Sequence, residues 1–161
     1  MKAGGVALGL SVRLARSADI ARIARATGHD FLFIDGQHSI FNLETIAHMA
    51  QAALAIGVAP VVRVRGVEDP DVPMLLDNGV TGIVYPDVST VEQARRAVAR
   101  ARFAPLGSRS VVGGYPHFDY QARQVRAIRM GCQFVTTQTD IGFLSAAARQ
   151  WVDGIRKEIP A

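Results

Sequence analysis

Asp35 and His38 stand three residues apart at the end of an apolar run, residues 30–35. A carboxylate beside an imidazole orients the ring and raises its basicity, which gives a general base near neutral pH. The same spacing also arises by chance, and a satisfied structural pair beside a turn is the ordinary alternative. Arg63 closes a second apolar run, Pro60-Val61-Val62-Arg63-Val64. A charge there is costly unless it is paired or faces a ligand. Arginine in such a place suits a carboxylate substrate or a developing oxyanion; its alternative is a salt bridge to Asp35. Arg65, Asp87, Thr139 and Asp140 follow apolar runs in the same way. The remaining histidines are weaker candidates. His29 precedes a run, His48 falls inside a helix-like segment and reads as a surface or packing residue, and His117 lies in a long loop.

These positions acquire meaning if the apolar runs are strands. Short β-like runs alternate with helix-like ones along the first hundred residues. Residues 6–12 precede a helix that Ser17 caps and Gly28 ends. Residues 30–35 precede a helix over 43–56, capped by Asn42 and followed by Gly57. Residues 58–64 precede a short helix over 70–78, closed by Gly79. Residues 82–85 are cut off by Pro86, and a helix from Ser89 or Thr90 to 102 follows. The run 30–35 is continuous rather than alternating, which suits a strand buried on both faces. Four βα units in series imply a parallel sheet with right-handed crossovers. In such sheets catalytic groups gather at the C-terminal ends of the strands, where Asp35, His38, Arg63, Arg65 and Asp87 fall. The pattern then loosens into a long loop over 103–121 with Gly107, Gly113, Gly114 and two prolines. A basic helix over 121–130, a fifth strand over 132–137 and a final helix over about 140–159 are expected after it. In that last helix Ile141, Leu144, Ala148, Trp151 and Ile155 recur at helical spacing.

The chain has 161 residues, 49% hydrophobic and 20% charged, which suits one domain with a proper core and argues against disorder. Its net charge of +4 comes almost entirely from arginine, concentrated on helix-like segments such as 92–102. That reads as a solvated helix face; a nucleic-acid surface would want aromatic interleaving or a reading helix, and the sequence offers neither. Cys132 is the sole cysteine, which excludes an intrachain disulfide and a multi-cysteine zinc site. It reads as a buried structural cysteine. No run approaches the ~20 apolar residues that span a membrane. No signal peptide is read at the N-terminus, so the expected compartment is the cytoplasm.

Four segments then fall in a telling order: Ile34-Asp35-Gly36-Gln37-His38-Ser39, Pro60-Val61-Val62-Arg63-Val64, Leu75-Leu76-Asp77-Asn78-Gly79-Val80-Thr81-Gly82-Ile83 with Val84-Tyr85-Pro86, and Arg102-Phe103-Ala104-Pro105-Leu106-Gly107-Ser108-Arg109-Ser110. The set resembles the HpcH/HpaI aldolase family: its catalytic-histidine motif, its arginine strand, the next helix and strand, and the loop after the fourth unit. Met130-Gly131-Cys132-Gln133-Phe134-Val135 and Thr139-Asp140-Ile141-Gly142-Phe143-Leu144 look like the family's last strand and last helix. The implied fold is α/β, a partial (β/α)8 TIM-barrel-like domain over 1–161 with about five parallel strands and surrounding helices. Residues 1–121 resemble barrel units one to four and 122–161 the last unit, with the central units missing; a full barrel needs ~250 residues.

The resemblance implies a metal-dependent carbon–carbon lyase that cleaves or forms 4-hydroxy-2-oxo acids through a pyruvate enolate. A divalent metal (Mg²⁺, Mn²⁺ or Co²⁺) is expected for the family. His38, oriented by Asp35, would move the proton, and Arg63 would steady the substrate oxygen. The family carries its metal on a glutamate after the fifth strand and an aspartate after the sixth, and neither has a counterpart in this sequence. Gln37 stands where the family usually has glutamate, which alters the surroundings of His38. The alternative is a catalytically degenerate homologue that binds a small carboxylate or serves as a structural or interaction protein. The expected partners are a small 2-oxo acid or carboxylate and further copies of the chain, with no membrane and nucleic acid only as a distant third. Five strands leave two sheet edges, so a homo-oligomer that buries an edge or exchanges the C-terminal helix is expected, with Leu144 and Trp151 as contacts.

Overall fold

The computed structural model describes residues 5–110 and 140–158, apart from the side chains of 141 and 142. The chain divides into two compact units, Met1–Val111 and Val112–Ala161. In the first, strands β1 (Gly9–Val12), β2 (Phe31–Asp35), β3 (Ala59–Arg63) and β4 (Gly82–Val84) alternate with helices α1 (Asp19–Ala26), α2 (Leu43–Ala55), α3 (Val72–Asp77) and α4 (Val91–Ala101). The strands form one parallel sheet in chain order, as the four βα units require. Each of these elements is one to three residues shorter than its sequence pattern, which is where ends fray. In the second unit a single helix, α5 (Asp140–Glu158), is described. The expected helix over 121–130, the fifth strand, Cys132, His117 and Thr139 lie outside the described residues.

Local chemistry sets the helix starts much as the spacing predicts. Asn42 caps α2 by accepting the Thr45 N–H. Thr90 and Gln93 form a reciprocal capping box on α4. Ser17 differs: its hydroxyl accepts the Asp19 N–H, but it sits one residue ahead of the cap position, which Ala18 holds without a side-chain bond. Each αβ joint turns through a left-handed glycine, with φ of 78° at Gly28, 76° at Gly57 and 105° at Gly79. A side chain would strain that geometry, which is why glycine recurs at one place in each unit.

The core lies between the sheet and its helices. Leu32 and Ile34 of β2, and Val62 of β3, meet Met49, Ala50 and Ala53 of α2. The pairing places Leu10, Leu32 and Pro60 in one row and Val12, Ile34 and Val62 in another. Ser11, Phe33 and Val61 therefore point to the opposite face, with Asp35 and Arg63 beyond them. Here the sequence expectation needs correcting. Strand β2 is not buried on both faces among the described residues: Leu32 and Ile34 are buried, whereas Phe31 and Phe33 are half-buried. Within the first unit, helices α1, α2 and α3 pack on the face of Leu32, Ile34 and Val62. A continuous apolar run thus marks a strand whose second face awaits cover, as the interior of a closed barrel would give it.

Candidate active site

The second face ends in a charged cluster. Asp35 and Arg63 are the last residues of β2 and β3, and the strand register sets them side by side. Arg63 binds the Asp35 carboxylate with two prongs, Nε to Oδ1 at 3.0 Å and Nη2 to Oδ2 at 2.6 Å. Its guanidinium lies 5.6 Å from the centroid of the Phe33 ring. The residue after β1, Arg13, reaches the same carboxylate, with Nε 2.7 Å from Oδ2. The main-chain N–H groups of Gln37 and His38 complete the set at 3.2 and 3.1 Å from Oδ1. Asp35 is fully buried, yet five donors surround it. Arg63 above all holds its carboxyl well below the usual carboxylate range; burial works the other way, and the His38 N–H and Arg13 add to the lowering. Asp35 in turn holds the Arg63 guanidinium above its ordinary value, against burial.

This arrangement corrects one expectation. Asp35 does not orient the His38 ring; it takes the His38 main-chain N–H instead. The imidazole is exposed and makes no hydrogen bond among the described residues. The alternative reading of Arg63, a salt bridge to Asp35, is the one observed. Asp35 thereby fixes the backbone that carries His38, through a turn that Gly36 makes possible. The Gly36 N–H donates to the Arg63 carbonyl at 2.8 Å, and a Cβ at Gly36 would meet that same oxygen at 2.8 Å.

The other strand-end residues fall into two groups. Asp87, after β4, adopts a left-handed φ of 56°, uncommon outside glycine, and accepts Gln37 Nε2 at 3.2 Å. Gln37 therefore ties the end of β2 to the end of β4, and Asp87 is close enough to Arg63 to contribute to holding its charge. Arg65 turns away into a local staple. It binds Asp69 through Nε and Nη2 at 3.0 and 2.7 Å and also pairs with Asp71, which fixes the β3–α3 loop. Burial opposes the charge on Asp69, but Arg65 and the N–H groups of Arg65 and Asp71 hold its carboxyl low. A cleft of about 210 Å³ opens beside this staple, lined by Gly36, Phe41, Val62, Arg63, Arg65 and Asp69 among others. Arg63 and Gly36 line it while Asp35 and His38 do not, so it borders the cluster. His29 meets Thr27 at the opposite sheet end, and His48 is exposed on α2, as their sequence positions imply. Asp140 is the first residue of α5.

Arg13 was missed in the sequence. The rule that singles out strand ends applies equally to β1, whose last residue is Val12, and would have found it.

A divalent metal needs several carboxylate or imidazole donors with free lone pairs. Asp35 has none to spare, since five donors already occupy its two oxygens. No group of three or more His, Cys, Asp or Glu with metal-holding geometry occurs among the described residues. The described residues therefore do not fit the metal centre that the resemblance implies.

Parallel strands with a histidine, a carboxylate and two arginines at their C-terminal ends define an α/β protein built like a barrel enzyme. The family model for HpcH/HpaI aldolase/citrate lyase matches residues 11–149, and the chain belongs to that family. The 4-hydroxy-4-methyl-2-oxoglutarate aldolase tasA of Hapsidospora irregularis is 32% identical over 155 residues, 94% of this chain and 57% of that protein. The hydroxypyruvate/pyruvate aldolase of Cupriavidus necator is 40% identical over 92 residues, 57% of this chain and 34% of that protein. The crystal structure of an HpcH/HpaI aldolase from Desulfitobacterium hafniense superposes with a TM-score of 0.71 at 29% identity, covering 80% of this chain and 50% of that one. The chain thus matches between about a third and little more than half of the length of these relatives.

Proposed function

We propose that this chain carries the proton-transfer and anion-binding part of a 2-oxo acid carbon–carbon lyase. The observation that carries this reading is the meeting of His38, Asp35 and Arg63 at one sheet end in a chain of this family. The exposed imidazole is the proton carrier. Arg63, held charged by Asp35, faces the substrate oxygen on which negative charge develops. Asp35 acts on His38 through the backbone, not the ring. Relatives named for 4-hydroxy-4-methyl-2-oxoglutarate and for pyruvate support a substrate with a 2-oxo acid end. The cytoplasm is the compartment that goes with this reading; no described helix is long and apolar enough to cross a membrane. Residues 122–161 would stand for the last barrel unit, and the chain would work as a homo-oligomer.

A specific observation favours a second reading, a carboxylate-binding homologue without catalysis of its own. The Asp35 carboxylate is saturated, and the described residues offer no metal centre. One experiment separates the two. Deuterium uptake by the methyl group of pyruvate is followed by NMR with Mg²⁺, Mn²⁺ or Co²⁺ added. The lyase reading expects exchange, lowered about 10²- to 10⁴-fold by His38→Ala with the melting temperature kept. Exchange that ignores His38→Ala removes this histidine from the chemistry. No exchange with any metal leaves the binding reading.

A further inference from the structure

We propose that Arg13 is a substrate-binding residue of this site and selects a 2-oxo acid bearing a second carboxylate over one with a neutral tail. The inference rests on the reading of the site as one for 2-oxo acids. It starts from a mismatch of charge and bonding at Asp35. Arg63 satisfies that carboxylate with two prongs, and two main-chain N–H groups add to it. Arg13 is thus a fifth donor, spending only its Nε on an oxygen already bound by Arg63 Nη2. One carboxylate cannot neutralise two guanidinium groups, so the triad keeps an excess positive charge. As a structural bond the contact is worth little, because the Arg13 side chain is 55% exposed.

What the contact does achieve is placement. With Nε on Asp35 Oδ2, the oxygen that Arg63 Nη2 also binds, the Arg13 guanidinium sits beside Arg63, and its two terminal nitrogens make no hydrogen bond among the described residues. Those nitrogens form a fork suited to a carboxylate. The nearby charges leave that fork available. Arg16 is spent on the Ile40 carbonyl and stacks over Phe41. Asp87 bonds Gln37 and acts on Arg63. Two arginines fixed on one carboxylate therefore offer two anion contacts in one site: Arg63 for the reacting end of the substrate, Arg13 for a charged group further along it.

The test is a pair of ligands that differ in tail charge alone. Binding of 2-oxoglutarate and of 2-oxovalerate to the full chain is measured by calorimetry, for wild type, Arg13→Gln and Arg13→Lys. Wild type is expected to prefer 2-oxoglutarate by at least about tenfold. Arg13→Gln should bring that ratio near one while leaving 2-oxovalerate affinity in place, and Arg13→Lys should retain most of it. A wild-type ratio near one overturns the proposal even if the variants fail to fold. An equal loss for both ligands in Arg13→Gln also overturns it, since Arg13 then acts only by placing Asp35. If wild type binds neither ligand nor pyruvate, the 2-oxo acid reading falls and this inference with it; binding of pyruvate without discrimination removes the inference alone.

Discussion

Asp35 is where sequence and surroundings decide the site. A carboxylate fully buried and ringed by donors is stable only in its charged form, and the protein holds it there chiefly through Arg63. Its pKa is therefore depressed in the folded chain and ordinary, about 3.8, in the unfolded one. The unfolded state binds the proton more readily, so the stabilisation is complete above about pH 5 and drains as the pH falls below about 4. Thermal melts should show a falling midpoint over that acid range. Asp35→Asn keeps the shape and loses the charge, leaving two adjacent guanidinium groups unbalanced. It is expected to lower the midpoint at pH 7 by about 5 °C or more and to flatten the acid slope. The slope will not vanish, because arginines also hold Asp69 and Glu68 low. An acid slope identical to wild type would show that Asp35 does not contribute to it.

Among the elements, the β2–β3 pair carries the site, and Gly36 is its joint. The Gly36 backbone lies against the Arg63 carbonyl, with space for a hydrogen and none for a methyl group. Gly36→Ala must push the end of β2 away from β3. Overpacking of this kind costs roughly 1–3 kcal/mol, read as a lower melting midpoint, and it should also weaken 2-oxo acid binding because Arg63 moves. A variant that loses stability but binds normally would show that the site tolerates the shift. The strand ends were legible because their apolar runs stop at a charge, and the αβ joints because glycine recurs at each left-handed turn. The partners of Asp35 were not. Sequence spacing put His38 within reach, but two arginines and two N–H groups compete for the same lone pairs, and that competition exists only in three dimensions. Arg13 was legible by the same rule as Arg63, since the run over 6–12 ends at Val12 where β1 ends, but its bond to Asp35 joins residues 22 apart and exists only in the fold.

For the molecule as a whole, the sheet poses the remaining physical problem. Among the described residues β1 and β4 each pair on one side only, and in the first unit Phe31, Phe33 and Val61 stand half-buried on the face opposite Leu32, Ile34 and Val62. Open edges and a partly wet apolar face invite pairing with another chain. Helix α5 adds a stripe of its own, with Leu144, Trp151 and Ile155 at helical spacing and exposed. A further copy of the chain would supply matching strands and an equivalent helix at once, which is the homo-oligomer proposed above. Light scattering at micromolar concentration should therefore give a mass that is a multiple of 17.3 kDa. Trp151→Ser should lower that mass or shift the equilibrium toward the single chain, and dilution should redden tryptophan emission in wild type as the contact opens. A monodisperse 17.3 kDa species would overturn the homo-oligomer.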